Sequence, residues 1–114
     1  METQFLALDE AELLGFFGTE PTTRAVDEGY WCYEISDESG ITVRFSFDLY
    51  ERSVQTTILH GGSQIAMISH EGADRMLLHD RTLRCEFSTR GEKATLTVET
   101  GLRLSVIWSS LRTE

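Results

Sequence analysis

Across positions 40–48 apolar and polar residues alternate without exception. Ile41, Val43, Phe45 and Phe47 are set against Thr42, Arg44, Ser46 and Asp48. A strand turns successive side chains to opposite faces, so this stretch predicts a half-buried antiparallel strand. Neighbouring segments repeat the pattern less cleanly. Positions 30–36 send Trp31, Tyr33 and Ile35 one way, and Tyr30, Cys32 and Glu34 the other. Positions 53–60 are rich in β-branched residues, and 64–69 continue as a strand beyond His60-Gly61-Gly62-Ser63. That junction predicts a hairpin, since Gly-Gly tolerates the positive φ of a tight turn. Three more strands are expected at 82–89, 93–100 and 102–109. In the last, Leu102, Leu104, Val106 and Trp108 form the apolar row. Between 64–69 and 82–89, positions 70–80 are ambiguous: Ala73, Met76 and Leu77 fit one helical face, so an irregular or briefly helical connection ending in a strand is expected.

Ahead of the strands, Asp9 to Gly18 predicts a short helix. Asp9 caps it, Glu12 reaches back three residues to the cap amide, and Gly18 stops it. Leu13, Leu14 and Phe17 are its expected apolar face. Positions 19–29 hold the only proline, Pro21, and predict a loop. About six to seven strands joined by short turns make an antiparallel meander. The expected fold class is α+β: one strongly curved antiparallel meander sheet with the short N-terminal helix packed on it. The alternative is a small closed β-barrel. No linker or repeat divides the chain, and a single domain over 1–114 is expected.

The 114 residues are 40% hydrophobic, enough for a core without a metal or disulfide staple. Cys32 and Cys85 lack Cys-x-x-Cys spacing and read as reduced core thiols. No apolar run approaches the ~20 residues of a membrane span, and Met1-Glu2-Thr3-Gln4 supplies no basic region for a signal peptide. A cytoplasmic location is expected.

Charge changes this picture more than any other bulk property. The net is −9, and it is unevenly placed. Up to position 51 stand twelve acids (Glu2, Asp9, Glu10, Glu12, Glu20, Asp27, Glu28, Glu34, Asp37, Glu38, Asp48, Glu51) against Arg24 and Arg44, a net of −10; the remainder carries +1. Such a field repels phosphate backbones and anionic membranes and attracts basic partners. A basic protein partner is expected, with no nucleic acid and no membrane. Asp27, Glu28, Glu34, Asp37 and Glu38 are the candidate contacts, with Tyr30 or Tyr33 as aromatic anchor.

Candidate chemistry is sparse. His60, His70 and His79 are spaced ten and nine residues apart, without the close pair usual in zinc sites. No nucleophile elbow, metalloprotease helix or phosphate loop is present. Asp48, Glu51 and Glu71 read as solvated acids near strand ends rather than general acids or bases. No catalytic residue, metal or cofactor is expected. A small ligand-binding domain or enzyme, with its pocket in the mouth of a curled sheet, is the alternative.

Phe45-Ser46-Phe47-Asp48 followed by Ser53-Val54, with Val106-Ile107-Trp108 near the end, resembles small acidic bacterial domains of the toxin-immunity type. The resemblance implies an inhibitor encoded beside a secreted toxin. Such a protein would bind its cognate toxin through an acidic surface and perform no chemistry.

Overall fold

The structure, a computed structural model, describes residues 4–112. The Met1-Glu2-Thr3 start considered above for targeting lies outside them. Helix α1 (Glu10–Phe17) begins as its sequence dictates. The Asp9 carboxylate accepts from the Glu12 N–H at 2.8 Å, and the Glu12 carboxylate accepts from the Asp9 N–H at 3.3 Å. Gly18 closes the helix at φ 71°, its N–H donating to Leu14 O. The buried face is Leu13, Phe16 and Phe17, while Leu14 is 42% exposed. Helical periodicity explains this correction, because positions i, i+3 and i+4 share a face and i+1 lies about 100° away.

The expected loop at 19–29 contains a short strand, β1 (Thr23–Ala25), and a 3-10 turn (Val26–Glu28). Strands β2 (Tyr30–Ser36), β3 (Ile41–Asp48), β4 (Ser53–His60) and β5 (Ser63–Glu71) follow as antiparallel neighbours. The β4–β5 turn is the Gly61-Gly62 pair, with φ of 56° and 85°. Positions 73–79, expected to be partly irregular or helical, form strand β6 (Ala73–His79). Then come β7 (Thr82–Thr89), β8 (Glu92–Glu99) and β9 (Ser105–Arg112). β9 starts later than expected: residues 101–103 bend, and Leu102 is 87% exposed instead of lying in an apolar row.

The single curved sheet is corrected to two. Among the described residues, β1-β2-β3-β4-β5 form one antiparallel sheet and β6-β7-β8-β9 another, so no barrel closes. The break falls at Gly72, which has φ 75°. A Cβ there would meet Ser88 O at 2.5 Å, and the Ser88 N–H donates to Gly72 O at 2.9 Å. The crossing is therefore pressed against β7, where only glycine fits. Arg52 holds its other side. The Ala73 N–H donates to Arg52 O (2.9 Å), while the Arg52 guanidinium donates to Ala73 O and to Asp74, both at 3.1 Å.

One apolar cluster joins the two sheets. Tyr33, Phe45, Phe47 and Val54 come from the first, and Met76, Leu83, Cys85, Phe87, Leu96 and Val98 from the second. Helix α1 adds Leu13, Phe16 and Phe17 at its margin. Alternation along β3 supplies Phe45 and Phe47 to this cluster, and Val43 is buried too, while Arg44 is exposed and pairs with Glu34 across the outer face. Ser46, expected on the polar face, is instead buried, its hydroxyl donating to Gln55 O at 3.5 Å. Cys32 and Cys85 are buried free thiols on different sheets, and burial pushes the Cys85 thiol up. Among the described residues no helix is long and apolar enough to cross a membrane.

Candidate partner-binding surface

Strand β2 carries three of the seven candidate contact residues, Tyr30, Tyr33 and Glu34, and separates the other four. Seven residues of strand separate its ends by about 20 Å, so the acids fall into two groups, one flanking each end.

At its start, β1 pairs antiparallel with β2, Ala25 facing Tyr30. The link between them is the 3-10 turn, closed by Gly29 at φ 66° with its N–H donating to Val26 O (3.0 Å). Asp27 and Glu28 are held exposed on this turn. The Leu49 N–H donates to Gly29 O at 2.9 Å and brings the β3–β4 turn alongside. That turn is organised by Asp48, whose carboxylate accepts the N–H groups of Tyr50 and Glu51, both at 2.9 Å. Tyr30 faces Asp48 in the β2–β3 register. The Tyr50 ring lies so close over Gly29 that a Cβ there would meet it at 3.0 Å. Tyr50 is nevertheless 70% exposed. Asp27, Glu28 and Tyr30 thus share one end of the sheet with Asp48, Tyr50 and Glu51. Sequence reasoning missed Tyr50; the Asp-x-Tyr-Glu turn directly after β3 was its one local signal.

The other candidates lie elsewhere. Tyr33 is 1% exposed, stacked on Phe17 at 4.7 Å within the core, and has no surface to offer an anchor. Burial raises its phenol pKa, with the Glu10 charge adding to the effect. Glu34 is engaged with Arg44 at 3.1 Å. Asp37 is tied into its turn: its carboxylate accepts from the Ser39 hydroxyl (2.6 Å), the Leu104 N–H (2.9 Å), the Ser39 N–H (2.9 Å) and the Ile41 N–H (3.2 Å). Those donors, the Ser39 hydroxyl first, lower its pKa to about 2. Glu38 is exposed on the same turn.

The three histidines occupy three separate places, and no group of three His, Cys, Asp or Glu suited to a metal occurs among the described residues. His60 ends β4 near Gly40, and His79 lies beside Asp80 at the β6–β7 turn. His70 stacks on Phe87 at 4.8 Å, in an open cleft of about 490 Å³ between the sheets. Burial lowers the pKa of its ring and so favours the neutral form. Ser69, Glu71, Thr89 and Ser110 also line this cleft. Because the expected single curled sheet is two sheets, this cleft lies between them and not in the mouth of a curled one.

No protein-family model matches this chain, and no curated protein matches it in sequence. Its fold has a solved counterpart. A chain of the contact-dependent growth inhibition toxin–immunity protein complex from Klebsiella pneumoniae 342 superimposes with a TM-score of 0.87. The match covers 96% of this chain and 100% of that one at 23% sequence identity. The likeness is therefore one of fold over the whole length.

Proposed function

We propose that this chain is an immunity protein, which neutralises a basic protein toxin by binding and covering it and performs no chemistry of its own. The observation that carries the reading is the end-to-end likeness of its fold to a chain of a toxin–immunity complex. Charge argues for the immunity side of such a pair. A net of −9, concentrated in the half of the sequence that runs through α1 and β1 to β3, suits the inhibitor of a basic enzyme. Complementary fields speed encounter and favour the correct partner.

The contact surface we assign is the end carrying Asp27, Glu28, Tyr30, Asp48, Tyr50 and Glu51. Exposed tyrosine beside acids supplies an aromatic anchor and a steering charge in one place. Glu38 contributes to the field from the far end of β2, whereas Tyr33 and Asp37 serve the fold. The cytoplasm is the fitting compartment, since buried Cys32 and Cys85 stay reduced there.

The test is co-expression with the toxin domain encoded beside the gene. Growth should be rescued, and the two proteins should co-purify at low salt, with the association rate falling as salt rises. Loss of viability despite full expression of this chain, with no complex at low salt, would overturn the reading.

A further inference from the structure

Next to the assigned surface, the N-terminal segment spans a gap without filling it. The Leu6 N–H donates to Asp74 O and the Met76 N–H to Leu6 O, both at 2.9 Å. The segment thus runs as a parallel bridge along the edge of β6 before turning into α1. Beneath it lies a cavity of about 320 Å³, large enough for a buried side chain and at the lower end of the ~300–1,000 Å³ range of ligand pockets.

Its lining is hydrocarbon with an acidic rim. Trp31 and Phe47, stacked at 5.5 Å, line it together with Phe5, Ala7 and Leu49. Trp31 is held in place because its indole N–H donates to Glu10 at 3.3 Å, and Glu10 is itself paired with Arg24. Asp9 and Glu10 are the charged residues lining the cavity. Leu49 connects it to the assigned surface, standing between Asp48 and Tyr50 in the same turn.

This combination narrows the occupant. Hydrocarbon walls reject a charged head group, whose burial without a partner is costly. The acidic surroundings repel an anionic lipid and attract a basic surface. What remains is an apolar side chain presented by a basic protein, the arrangement of a binding hot spot with a charged rim.

We propose that this cavity receives one apolar side chain of the basic protein partner, as an anchor with Asp9 and Glu10 at its rim. The proposal rests on the immunity reading and adds where the partner is gripped and by what kind of residue.

The full chain, labelled with 5-fluorotryptophan, carries two ¹⁹F reporters, Trp31 inside the cavity and Trp108 outside it. A Trp108→Phe variant assigns them. Saturation with the toxin domain encoded beside the gene should move the Trp31 resonance and leave Trp108 in place. Ala7→Leu, which adds three carbons at the cavity lining, should weaken toxin affinity about a hundredfold, a hot-spot loss. The change should appear mainly in the dissociation rate and persist at high salt. Binding by the wild-type chain with Trp31 unmoved, or an Ala7→Leu affinity within about twofold of wild type, would overturn the cavity proposal and leave the immunity reading standing. Failure of the wild-type chain to bind would remove both. The ¹⁹F measurement needs no cavity variant, so misfolding of Ala7→Leu cannot leave the question open.

Discussion

The carboxylate of Asp37 accepts a hydrogen bond from the backbone N–H of Leu104 at 2.9 Å, across 67 positions of sequence. Asp37 stands in the β2–β3 turn of the first sheet, and Leu104 immediately precedes β9 in the second. One side chain therefore ties the two sheets together at this end, while also ordering its own turn through Ser39 and Ile41.

Stability should follow the ionisation of Asp37. Its folded pKa, about 2, is depressed below the ordinary 3.8. The folded state therefore holds the proton less readily than the unfolded one, and stability falls as pH drops through that interval. Asp37→Asn should lower the thermal midpoint at neutral pH and flatten the loss between pH 4 and 2. Glu38→Lys, on the same turn, should do neither. Circular dichroism melts across that pH range separate the two residues. A pair of equally silent substitutions would show that the Leu104 contact contributes nothing.

His70 should impose a second, milder slope. Burial against Phe87 lowers its pKa from the usual 6.5. Below 6.5 the unfolded chain takes up the proton first, so stability declines as pH falls through 6.5 and levels off below the folded pKa. His70→Phe, which keeps a ring against Phe87, should abolish that slope in denaturant titrations between pH 7 and 5.

Tyr33→Phe should leave partner binding unchanged and raise stability by up to about 1 kcal/mol. The ring keeps its stacking on Phe17, and the hydroxyl that is lost is buried with no hydrogen-bond partner among the described residues. An unsatisfied buried polar group costs about 1–3 kcal/mol, part of which the substitution recovers. A drop in affinity for the proposed partner in this variant would bring Tyr33 back to the proposed interface.

Two glycines should respond to alanine in opposite directions. Gly15 lies within α1 with nothing within 4 Å of an added Cβ, so Gly15→Ala should stabilise by about 0.5–1 kcal/mol. Gly72→Ala brings a Cβ against Ser88 O at a position with φ 75°. It should cost about 1–3 kcal/mol or more. Urea unfolding measures both, and similar signs would contradict the placement of the sheet crossing.

If the proposed toxin partner is right, Glu28→Lys and Tyr50→Ala should both weaken its binding, by different routes. The exposed charge acts on encounter, so Glu28→Lys should slow association and reduce its salt dependence. Tyr50, as an anchor, should speed dissociation when removed, costing about 2 kcal/mol or more. Both are surface changes and should move folding stability by only about 0.5 kcal/mol. Stopped-flow or biolayer kinetics at two salt concentrations distinguish the routes.

Sequence alone determined the local geometry of this protein. Alternation at Ile41–Asp48 set the two faces of the central strand, Gly61-Gly62 set a hairpin, and the Asp9–Glu12 pair with Gly18 set both ends of the helix. These features depend on neighbours a few residues apart, and each has a fixed period or turn chemistry. Only the tertiary structure decided that the meander breaks at Gly72 into two facing sheets, because a period of two is the same in one curled sheet as in a pair. It alone sent Tyr33 inward and left Tyr50 in the open, placed Asp27 and Glu28 beside Asp48 and Glu51, and gave Asp37 its partner 67 positions away. Those relations come from strand register and sheet packing. They arise between residues distant in sequence, and no pattern within either segment records them.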